Sequence, residues 1–474
     1  MLLIHRPQKA AFISTCLALL VVAGTASADY SGWSHRLSMV FSPGVAAGTL
    51  TDFPALVKLS ADINGFDYAD FADPGAADLR FVNRADGAEL VYEVEQWNPA
   101  GTSFIWVRIP ALSQGTIVDA YWGNTFASTP AYVSDGSVWQ SSYLGVWHLH
   151  DDLNDATAAG NHGTGLGNDQ WDGVIANAEE FDGINDGVRL EPVPVPSPPP
   201  LGATNITLSA WIWRRGDGAT VRTGSFGFVA PNQVEPILAK GQAEQDGTSK
   251  DLNYFFGIRP GDQVLAADLE QGAGGTDPGR NEPVVGTTPV PTSTWTHATV
   301  TYDGTWRLYM NGQEELVVDP TASGASPAYG LAVNEPLRHD SIQPAGLSFA
   351  FDANGQRAGA GSFNGAIDEA RIENVVRGSN WIHAAWLNVA SNTQFNGYGT
   401  AALVAPGAPR ILTGTATNVT FTSAWVQGTL VSTGSSATAV SVFWGPSLGG
   451  TNPAAWYRQE ELGLRSLGDF STAI

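Results

Sequence analysis

Cysteine and lysine are nearly absent from this chain of 474 residues. Cys16 is the only cysteine, there are four lysines, and charged residues make up 15% of the chain. One cysteine excludes an intramolecular disulfide, so a large core, with or without bound cations, must stabilise the fold. The 23 Lys and Arg against 46 Asp and Glu give a formal net charge of −23. This acidity argues against nucleic acid or anionic lipid as a partner.

The first 28 residues have the pattern of a secretory signal peptide. A basic start with Arg6 and Lys9 precedes an apolar run at residues 11–23, and Ala26-Ser27-Ala28 fits a cleavage site. The apolar run is too short to favour a membrane anchor. We therefore expect a secreted or cell-surface protein, cut near Ala28, with no membrane span in the mature chain.

Glycine, proline and tryptophan are abundant instead, with 54, 28 and 16 copies. Many short apolar runs are separated by Gly, Asn, Asp and Pro, and long helical periodicities are few. This pattern predicts an all-β protein. We divide it into two successive β-sandwich or jelly-roll domains, at residues 29–135 and 136–400, followed by an incomplete C-terminal β-sandwich at residues 401–474.

The first of these domains carries several motifs of one bacterial family. The motifs are Trp33-Ser34-His35-Arg36, residues 52–59, Asp78-Leu79-Arg80-Phe81 and Tyr121-Trp122-Gly123-Asn124. On these residues the segment closely resembles domain of unknown function 2341. The resemblance implies little chemistry, because that family has no assigned activity.

The second domain contains a predicted hairpin and a predicted closing strand. Residues 295–312 read as two alternating strands joined by Asp303-Gly304 and ended by Asn311-Gly312. Residues 365–388 read as a late strand that turns into a short helix. In this strand, alternation places Asp368, Ala370 and Ile372 on one face, and Ile367, Glu369, Arg371 and Glu373 on the other. The order of these elements resembles the laminin-G-like, concanavalin A-like jelly roll, a fold that is most often a binding module.

The third unit resembles the first half of a fibronectin type III-like domain, on the runs at residues 418–434 and 437–445. The later strands of that fold are missing from the sequence, so we expect a fragment of a longer protein. A compact tail that pairs elsewhere is the alternative, and it would leave Val440 and Val442 at an unprotected edge.

A cation site is predicted around one acidic loop. Asp182, Asn185 and Asp186 supply oxygen ligands within five residues, and Asp368 on the closing strand is a candidate partner. Ca²⁺ needs six to eight hard oxygens, so carbonyls or other carboxylates must join. The laminin-G-like resemblance implies Ca²⁺ binding, since many members have it, and the ion would be structural. The alternative is that Asp182-Gly183 and its neighbours are simply turn formers.

A second acidic cluster, at residues 148–155, could hold a metal. His148 and His150 would share a strand face, which is compatible with Zn²⁺. Two histidines with unspecified carboxylates are a weak signal, and we favour His148 as a residue packed in its strand.

Asp169 and Trp171 form the best candidate for glycan contact. Sugar-binding surfaces combine an aromatic platform with amide and carboxylate groups, and the run from Asn168 to Asp172 has both. The alternative is that Trp171 is structural, as most tryptophans of an all-β chain are.

Catalytic signatures are weak. Glu369 and Glu373 lie on one predicted strand face, but Arg371 between them is expected to pair with one of the two. Glu93 and Glu95 share another face, and we interpret them as structural, with Arg80 as a counter-ion. No nucleophile elbow, metalloprotease helix or phosphate loop occurs in the sequence.

These observations favour an exported, non-enzymatic surface protein whose laminin-G-like domain binds an extracellular polysaccharide or glycoconjugate. A spacer or adhesin segment of a longer surface protein is the second hypothesis, and a polysaccharide hydrolase or lyase is the third.

Overall fold

The computed structural model describes residues 30–474 apart from residues 31, 46–47, 225, 243–251, 353, 357–360, 405–409, 421–422, 433–437 and 445–457. The predicted signal peptide lies outside the described residues. The all-β prediction is confirmed, since strands make up almost all of the regular structure. Within the described part of the chain, no helix has the length and apolar character needed to cross a bilayer.

The first domain is a sandwich of two antiparallel sheets. Its strands are β1 (His35–Phe41), β2 (Leu50–Ser60), β3 (Arg80–Asn83), β4 (Glu89–Leu90), β5 (Tyr92–Gln96), β6 (Thr102–Leu112) and β7 (Thr116–Trp122). One sheet has the order β2-β6-β5, and the other contains β1-β7-β3-β4. Short 3-10 helices at Tyr68–Asp70 and Ala131–Val133 lie in the connections. Alternating residues such as Leu37, Val107 and Trp122 fill the space between the sheets.

The second domain is a larger sandwich of two nine-stranded sheets. The strands are β8 (Tyr143–Trp147), β9 (Thr164–Leu166), β10 (Asp169–Asp172), β11 (Asn177–Asp182), β12 (Gly187–Arg189), β13 (Ile206–Arg214), β14 (Glu235–Lys240), β15 (Tyr254–Arg259), β16 (Val264–Leu269), β17 (Val284–Pro289), β18 (Trp295–Tyr302), β19 (Thr305–Met310), β20 (Gln313–Glu314), β21 (Leu316–Val318), β22 (Ala328–Tyr329), β23 (Leu331–Ala332), β24 (Ala345–Leu347) and β25 (Asn364–Glu373).

We call the two layers of this domain the front and back sheets. The front sheet has the order β10-β11-β25-β13-β18-β19-β20, with β8 also on β25 and β23 on β19. The back sheet has the order β22-β21-β17-β16-β15-β14-β24-β12-β9. The core between them contains Leu208, Ile212, Phe256 and Leu308. The predicted hairpin is present, since β18 pairs with β19 and Tyr302 lies opposite Trp306.

The closing strand β25 departs from the predicted alternation. Ile367, Ala370 and Ile372 all enter the sandwich core, so the prediction that Ile367 and Ala370 lie on opposite faces is wrong. The reason is a bulge: the register against β13 shifts here, and Glu369 has a φ of +51°. At the same place β25 changes its neighbour from β11 to β8. Asp368 and Glu369 therefore both leave the core side.

The chain returns to the first domain after β25. Helix α1 (Ser379–Ala390) and helix α2 (Asn392–Phe395) lead into β26 (Asn396–Tyr398) and β27 (Ala402–Leu403), which both pair with β1. Trp381 and Leu387 of α1 join the core of the first domain. The domain limits at residues 135 and 400 stay a prediction, and the structure adds that two separate chain segments build the first sandwich.

Side chains of this returning segment cover the free edge of β2. The Asn388 amide accepts a hydrogen bond from the Leu56 N–H at 2.9 Å and donates one to the Pro54 carbonyl at 3.1 Å. Since β2 pairs only with β6, these backbone groups would otherwise be unpaired at a sheet edge. At the same edge, the side-chain amides of Asn392 and Asn396 donate hydrogen bonds to the Leu56 carbonyl. The Tyr398 hydroxyl accepts one from the Lys58 N–H.

The third unit is described in two small sheets. Strands β28 (Arg410–Thr413), β29 (Trp425–Ser432) and β32 (Gly468–Ala473) form one, and β30 (Thr438–Trp444) and β31 (Arg458–Arg465) form the other. Val440 and Val442 are buried, and Val440 packs against Leu430 and Phe470. The residues from Arg458 onward thus supply two further strands, which the sequence analysis did not predict. The fibronectin type III-like character stays a prediction.

Replacing Asn388 tests the covered edge. Asn388→Ala leaves the buried Leu56 N–H and Pro54 carbonyl without partners, so we expect a loss of about 2–4 kcal/mol in unfolding free energy. Urea unfolding followed by tryptophan fluorescence measures it. Gln394→Ala, an exposed change on α2, is the matched control and should cost less than about 0.5 kcal/mol. Equal effects of the two changes would contradict the role of Asn388.

A buried carboxyl in β14 predicts a pH dependence. Burial raises the pKa of Glu235 to about 7, against hydrogen bonds from Asn364 and Gly218 that lower it. Glu235 Oε1 accepts from the Asn364 N–H at 2.8 Å, while Oε2 has no partner. Because the folded pKa lies above the unfolded value of about 4.3, the folded state binds the proton more tightly. The proton on Glu235 therefore stabilises the folded state fully below the unfolded pKa of about 4.3. This stabilisation is lost as the pH rises through the folded pKa of about 7.

Glu235→Gln keeps the acceptor for Asn364 and removes the titration. Wild type should therefore lose about 3 kcal/mol of stability relative to this variant between about pH 4 and pH 8. Unfolding curves of both proteins across that range check the difference. Parallel pH profiles would show that folding does not raise the pKa of Glu235.

Candidate functional site

Other parts of the chain pack on both outer faces of the second sandwich. The first domain packs on the outer face of the front sheet, where Leu56 and Trp106 meet Trp211. Side chains of the long β13–β14 connection, among them Val221 and Phe228, cover the outer face of the back sheet. The edge formed by β10 and β11 stays accessible, and we call it the β10–β11 edge.

Trp171 lies on this edge. Its side chain is 38% exposed, and among the tryptophans described within residues 30–404 it is the only exposed one. The indole is 6.0 Å from the ring of Trp213, centroid to centroid, and the Arg215 guanidinium lies 5.6 Å from its ring centre. Arg215 in turn pairs with Glu180. Neighbouring side chains therefore hold an aromatic ring in place while it faces solvent.

Asp169 lies on the same strand, exposed, with Glu180 directly opposite on β11. The acidic loop that follows β11 lies close by, since Gly167 before β10 pairs with Gly187 after the loop. Burial raises the pKa of Asp186, and the nearby charge of Asp169 adds to the rise. The structure thus brings the two predicted sites together: Asp169, Trp171, Asp182, Asn185 and Asp186 all belong to the β10–β11 edge and its loop.

The loop is held by hydrogen bonds to its own backbone. Asp182 Oδ1 accepts from the N–H groups of Ile184 and Asn185, at 2.8 and 3.0 Å, and Asp186 Oδ2 accepts from the Asp182 N–H at 3.0 Å. Burial disfavours the ionised form of Asp182, but the amides of Asn185 and Ile184 outweigh it and lower the pKa of this carboxyl. These bonds are those of a turn former, as the alternative interpretation expects.

Asp368 does not join the loop. Its Oδ2 accepts from the N–H groups of Val174 and Ile175, at 2.8 and 3.0 Å, in the turn between β10 and β11. The loop begins where Asp182 lies opposite Asn364, which is four residues from Asp368 along β25, or about 13 Å. The four residues predicted to bind Ca²⁺ therefore do not fit one coordination sphere. Binding by the three loop residues, with water and carbonyl oxygens, stays a prediction.

A second group of residues lies buried where the two domains meet. Glu95 of β5, His148 just after β8 and Glu369 of β25 each point one ligand-type atom at a common centre, and these atoms all lie within 4.8 Å of one another. His148 Nδ1 is 2.6 Å from Glu369 Oε1 and 3.5 Å from Glu95 Oε2. We call these three residues the junction group.

Two tryptophans and an arginine enclose the junction group. Trp106 stacks on the His148 ring at 6.0 Å and donates from Nε1 to Glu95 Oε2 at 2.7 Å. The Arg371 guanidinium lies 4.7 Å from the Trp106 ring centre and donates to Glu369 Oε2 at 2.6 Å. Trp139, in the segment between the two sandwiches, is tilted against the His148 ring at 5.6 Å, and the Arg371 guanidinium lies 4.9 Å from its ring centre.

The electrostatics of the junction group follow from burial. Burial raises the pKa of Glu95 to about 8, with Glu369 adding to the rise and His148 opposing it. Burial alone would lower the pKa of His148, but Glu369 and Glu95 outweigh it and raise that pKa well above its usual value. For Glu369 the burial effect is outweighed by His148 and Arg371, so its pKa is lowered. The group can therefore hold positive charge at its centre.

An open cleft of about 550 Å³ leads to this group. Glu93, Glu95 and His148 line it, together with His150 and the loop from Asp152 to His162. β8 ends at Trp147, and Leu149 has a φ of +62°, so His148 and His150 do not share a strand face as predicted. His148 is also more than a packed side chain, since three carboxylates surround it.

The predicted pairings of the acidic residues are partly right. Arg371 pairs with Glu369, as expected, and Arg377 pairs with Glu373. The pairing of Arg80 with Glu93 or Glu95 is wrong: Arg80 lies near Glu89 and donates to backbone carbonyls instead. Glu93 and Glu95 face His148 because β5 packs against the second domain, a contact that no local pattern in the sequence signals.

Comparisons with known families agree with this architecture. Residues 181–383 match the profile of the concanavalin A-like lectin/glucanases superfamily, and residues 75–172 match domain of unknown function DUF2341. The second sandwich is thus similar to concanavalin A-like lectin/glucanase domains. The predicted order of the two families is confirmed, and the DUF2341 match extends past residue 135 through β8 to β10. No curated protein matches the chain.

Solved structures of low similarity match parts of the chain. Domain 4 of the arabinanase AbnA from Geobacillus stearothermophilus, in complex with arabinotriose, is 18% identical over 51% of this chain and 97% of its own, with a TM-score of 0.32. The CBM40 of the Ruminococcus gnavus IT-sialidase, bound to sialyllactose, is 11% identical over 47% of this chain and 97% of its own, with a TM-score of 0.28. Trypanosoma rangeli sialidase is 13% identical over 64% of this chain and 42% of its own, with a TM-score of 0.33.

Calcium titration tests the loop. A site with a Kd of about 1 mM, in the range of extracellular modules, would stabilise the fold by about 1.4 kcal/mol at about 10 mM Ca²⁺. We expect the Tm to rise by a few degrees and Asp182→Ala to remove the rise. Asp303→Ala, in the comparable Asp-Gly turn between β18 and β19, is the matched control and should keep it. A Tm of the wild-type protein that does not change on addition of Ca²⁺ would rule out the site.

Proposed function

We propose that this protein is an exported, non-enzymatic surface protein whose concanavalin A-like domain binds an extracellular polysaccharide at the β10–β11 edge. The observation that carries the proposal is the exposed ring of Trp171. Sugar rings present apolar C–H faces that stack on such a platform, while their hydroxyls need hydrogen-bonding groups beside it.

The surroundings of Trp171 supply those groups. Asp169 and the exposed carboxylates of the following loop are acceptors, and Arg215 is a donor beside the ring. The platform is also preorganised, because Trp213 and Arg215 hold the indole before any ligand arrives. Preorganisation lowers the entropic cost of binding a flexible chain. An open edge, rather than a deep pocket, suits a polymer that continues in both directions.

Export is supported by the signal-like pattern in the first 28 residues. A non-enzymatic role is supported by the pairing of the carboxylates that the catalytic hypotheses use: Glu369 with Arg371, and Glu373 with Arg377. A Ca²⁺ ion in the Asp182–Asp186 loop would be structural and would lie beside the glycan.

A polysaccharide panel tests the proposal with wild type, Trp171→Ala and Tyr329→Ala. Tyr329 is 70% exposed on β22, at the far edge of the back sheet, and serves as the matched aromatic control. Loss of one stacking contact costs about 0.5–1.5 kcal/mol, so the Kd of Trp171→Ala should rise about 3- to 10-fold, while Tyr329→Ala binds as wild type. Affinity electrophoresis, with and without chelator, measures these values.

Three outcomes would overturn the proposal. Absence of any glycan ligand would favour a spacer or adhesin segment. Equal losses in both variants would place the ligand away from Trp171. Release of reducing or unsaturated ends from a polysaccharide would make the protein a hydrolase or lyase.

A further inference from the structure

The junction group offers a ligand set that the glycan-binding proposal does not use. Glu95 comes from the first domain, and His148 and Glu369 come from the second. Carboxylate oxygen and imidazole nitrogen are the ligand types that divalent transition metals take in proteins.

Two buried atoms of this group lack hydrogen-bond partners. Glu95 Oε1 and His148 Nε2 are both inaccessible to solvent and unpaired, and the Glu95 side chain is only 2% exposed. A buried polar atom without a partner costs about 1–3 kcal/mol, so native structures rarely keep one that no ligand uses. The unpaired oxygen of Glu95 is independent of the clustering of the three residues and points to a missing ligand, whereas His148 Nε2 faces Glu93 at 3.7 Å and lies across the ring from Nδ1.

Carboxyl groups lie on both sides of the His148 ring. Glu93 Oε1 is 3.7 Å from Nε2, and Glu95 Oε2 and Glu369 Oε1 are 3.5 and 2.6 Å from Nδ1. A divalent ion bound at Nδ1 would displace protons that these groups share, because metal ligands bind in their deprotonated forms.

The distances suit a metal ion. In a tetrahedral site with bonds of about 2.1 Å, neighbouring ligand atoms are about 3.4 Å apart. The separation of His148 Nδ1 from Glu95 Oε2 is 3.5 Å already. His148 Nδ1 and Glu369 Oε1, at 2.6 Å, would have to move apart by less than about 1 Å.

Neighbouring groups hold the ligands in place. Trp106 donates to Glu95 and Arg371 donates to Glu369, which is the outer-shell arrangement that orients carboxylates at metal sites. The cleft that Glu93, Glu95 and His148 line gives an ion a path from solvent.

We propose that Glu95, His148 and Glu369 bind one divalent first-row transition-metal ion between the two domains. The ion takes the place of the hydrogen that His148 shares with Glu369, and it links β5 of the first domain to β8 and β25 of the second.

Zinc is the probe for this site, on the full chain after dialysis against a chelator. Isothermal titration should give about one equivalent per chain, and desalted protein should retain it by elemental analysis. Glu95→Gln and His148→Gln should each weaken binding more than about 100-fold, since even outer-shell changes cost 10- to 100-fold. Glu373→Gln is the matched control, because this carboxylate is equally buried on β25 but pairs with Arg377. It should bind zinc as wild type.

A second measurement avoids variants that fail to fold. In the unaltered chain labelled with ¹⁵N-histidine, zinc should shift the ring-nitrogen resonance of one buried histidine, with stoichiometric saturation. Zinc uptake without that shift, uptake by Glu95→Gln at wild-type affinity, or no uptake by the unaltered chain would each overturn the site. None of these results depends on glycan binding.

Discussion

The structure depends on charged side chains buried between the two domains. His148, Glu369 and Arg371 leave the core side of the front sheet and meet the tryptophans of β5–β6 and the loop after β7. Burying charge under the first domain costs several kcal/mol unless the charges are paired, and here Glu369 pairs with both His148 and Arg371. The first domain in turn needs α1 and β26, which follow the second domain in the chain. Each domain therefore completes the other.

This mutual covering determines where a ligand can bind. The outer face of the front sheet is occupied by the first domain, and the outer face of the back sheet by the β13–β14 connection. The β10–β11 edge carries Trp171, the exposed tryptophan among those described within residues 30–404. Its acidic loop is adjacent, so a structural cation and a glycan would be neighbours there, while the junction group lies inward behind Asp368 and Glu369.

Local patterns in the sequence predicted much of this. The β18–β19 hairpin and the all-β class follow from alternation and turn residues within a few positions of each other. The prediction of glycan contact at Asp169 and Trp171 rests on an aromatic and carboxylates in one short run, and it stays a prediction. A partnership of Asp368 with the acidic loop requires the closing strand to lie beside the segment that leads into the loop, and it does, since Phe181 pairs with Gly365. That Asp368 faces away from the loop follows from strand register, which the sequence does not specify by itself.

Three features were beyond prediction for physical reasons. The bulge at Glu369 arises where β25 exchanges one neighbour for another, a tertiary event without a glycine to mark it. Asn388 belongs to the predicted helix, yet its side chain hydrogen-bonds the backbone at a strand edge more than three hundred residues earlier in the chain. The junction group unites Glu95 of β5, Glu369 of β25 and His148 just after β8, which are distant in the chain, so the sequence suggested ion pairs for the two carboxylates and a packed side chain for His148.

Hydrogen–deuterium exchange with a bound polysaccharide tests the central claim most directly. If mutual covering leaves the β10–β11 edge as the binding surface, protection should appear in β10, β11 and the following loop, and around Trp213. Protection of the β2-β6-β5 sheet or of the β13–β14 connection, with the β10–β11 edge unchanged, would contradict the account.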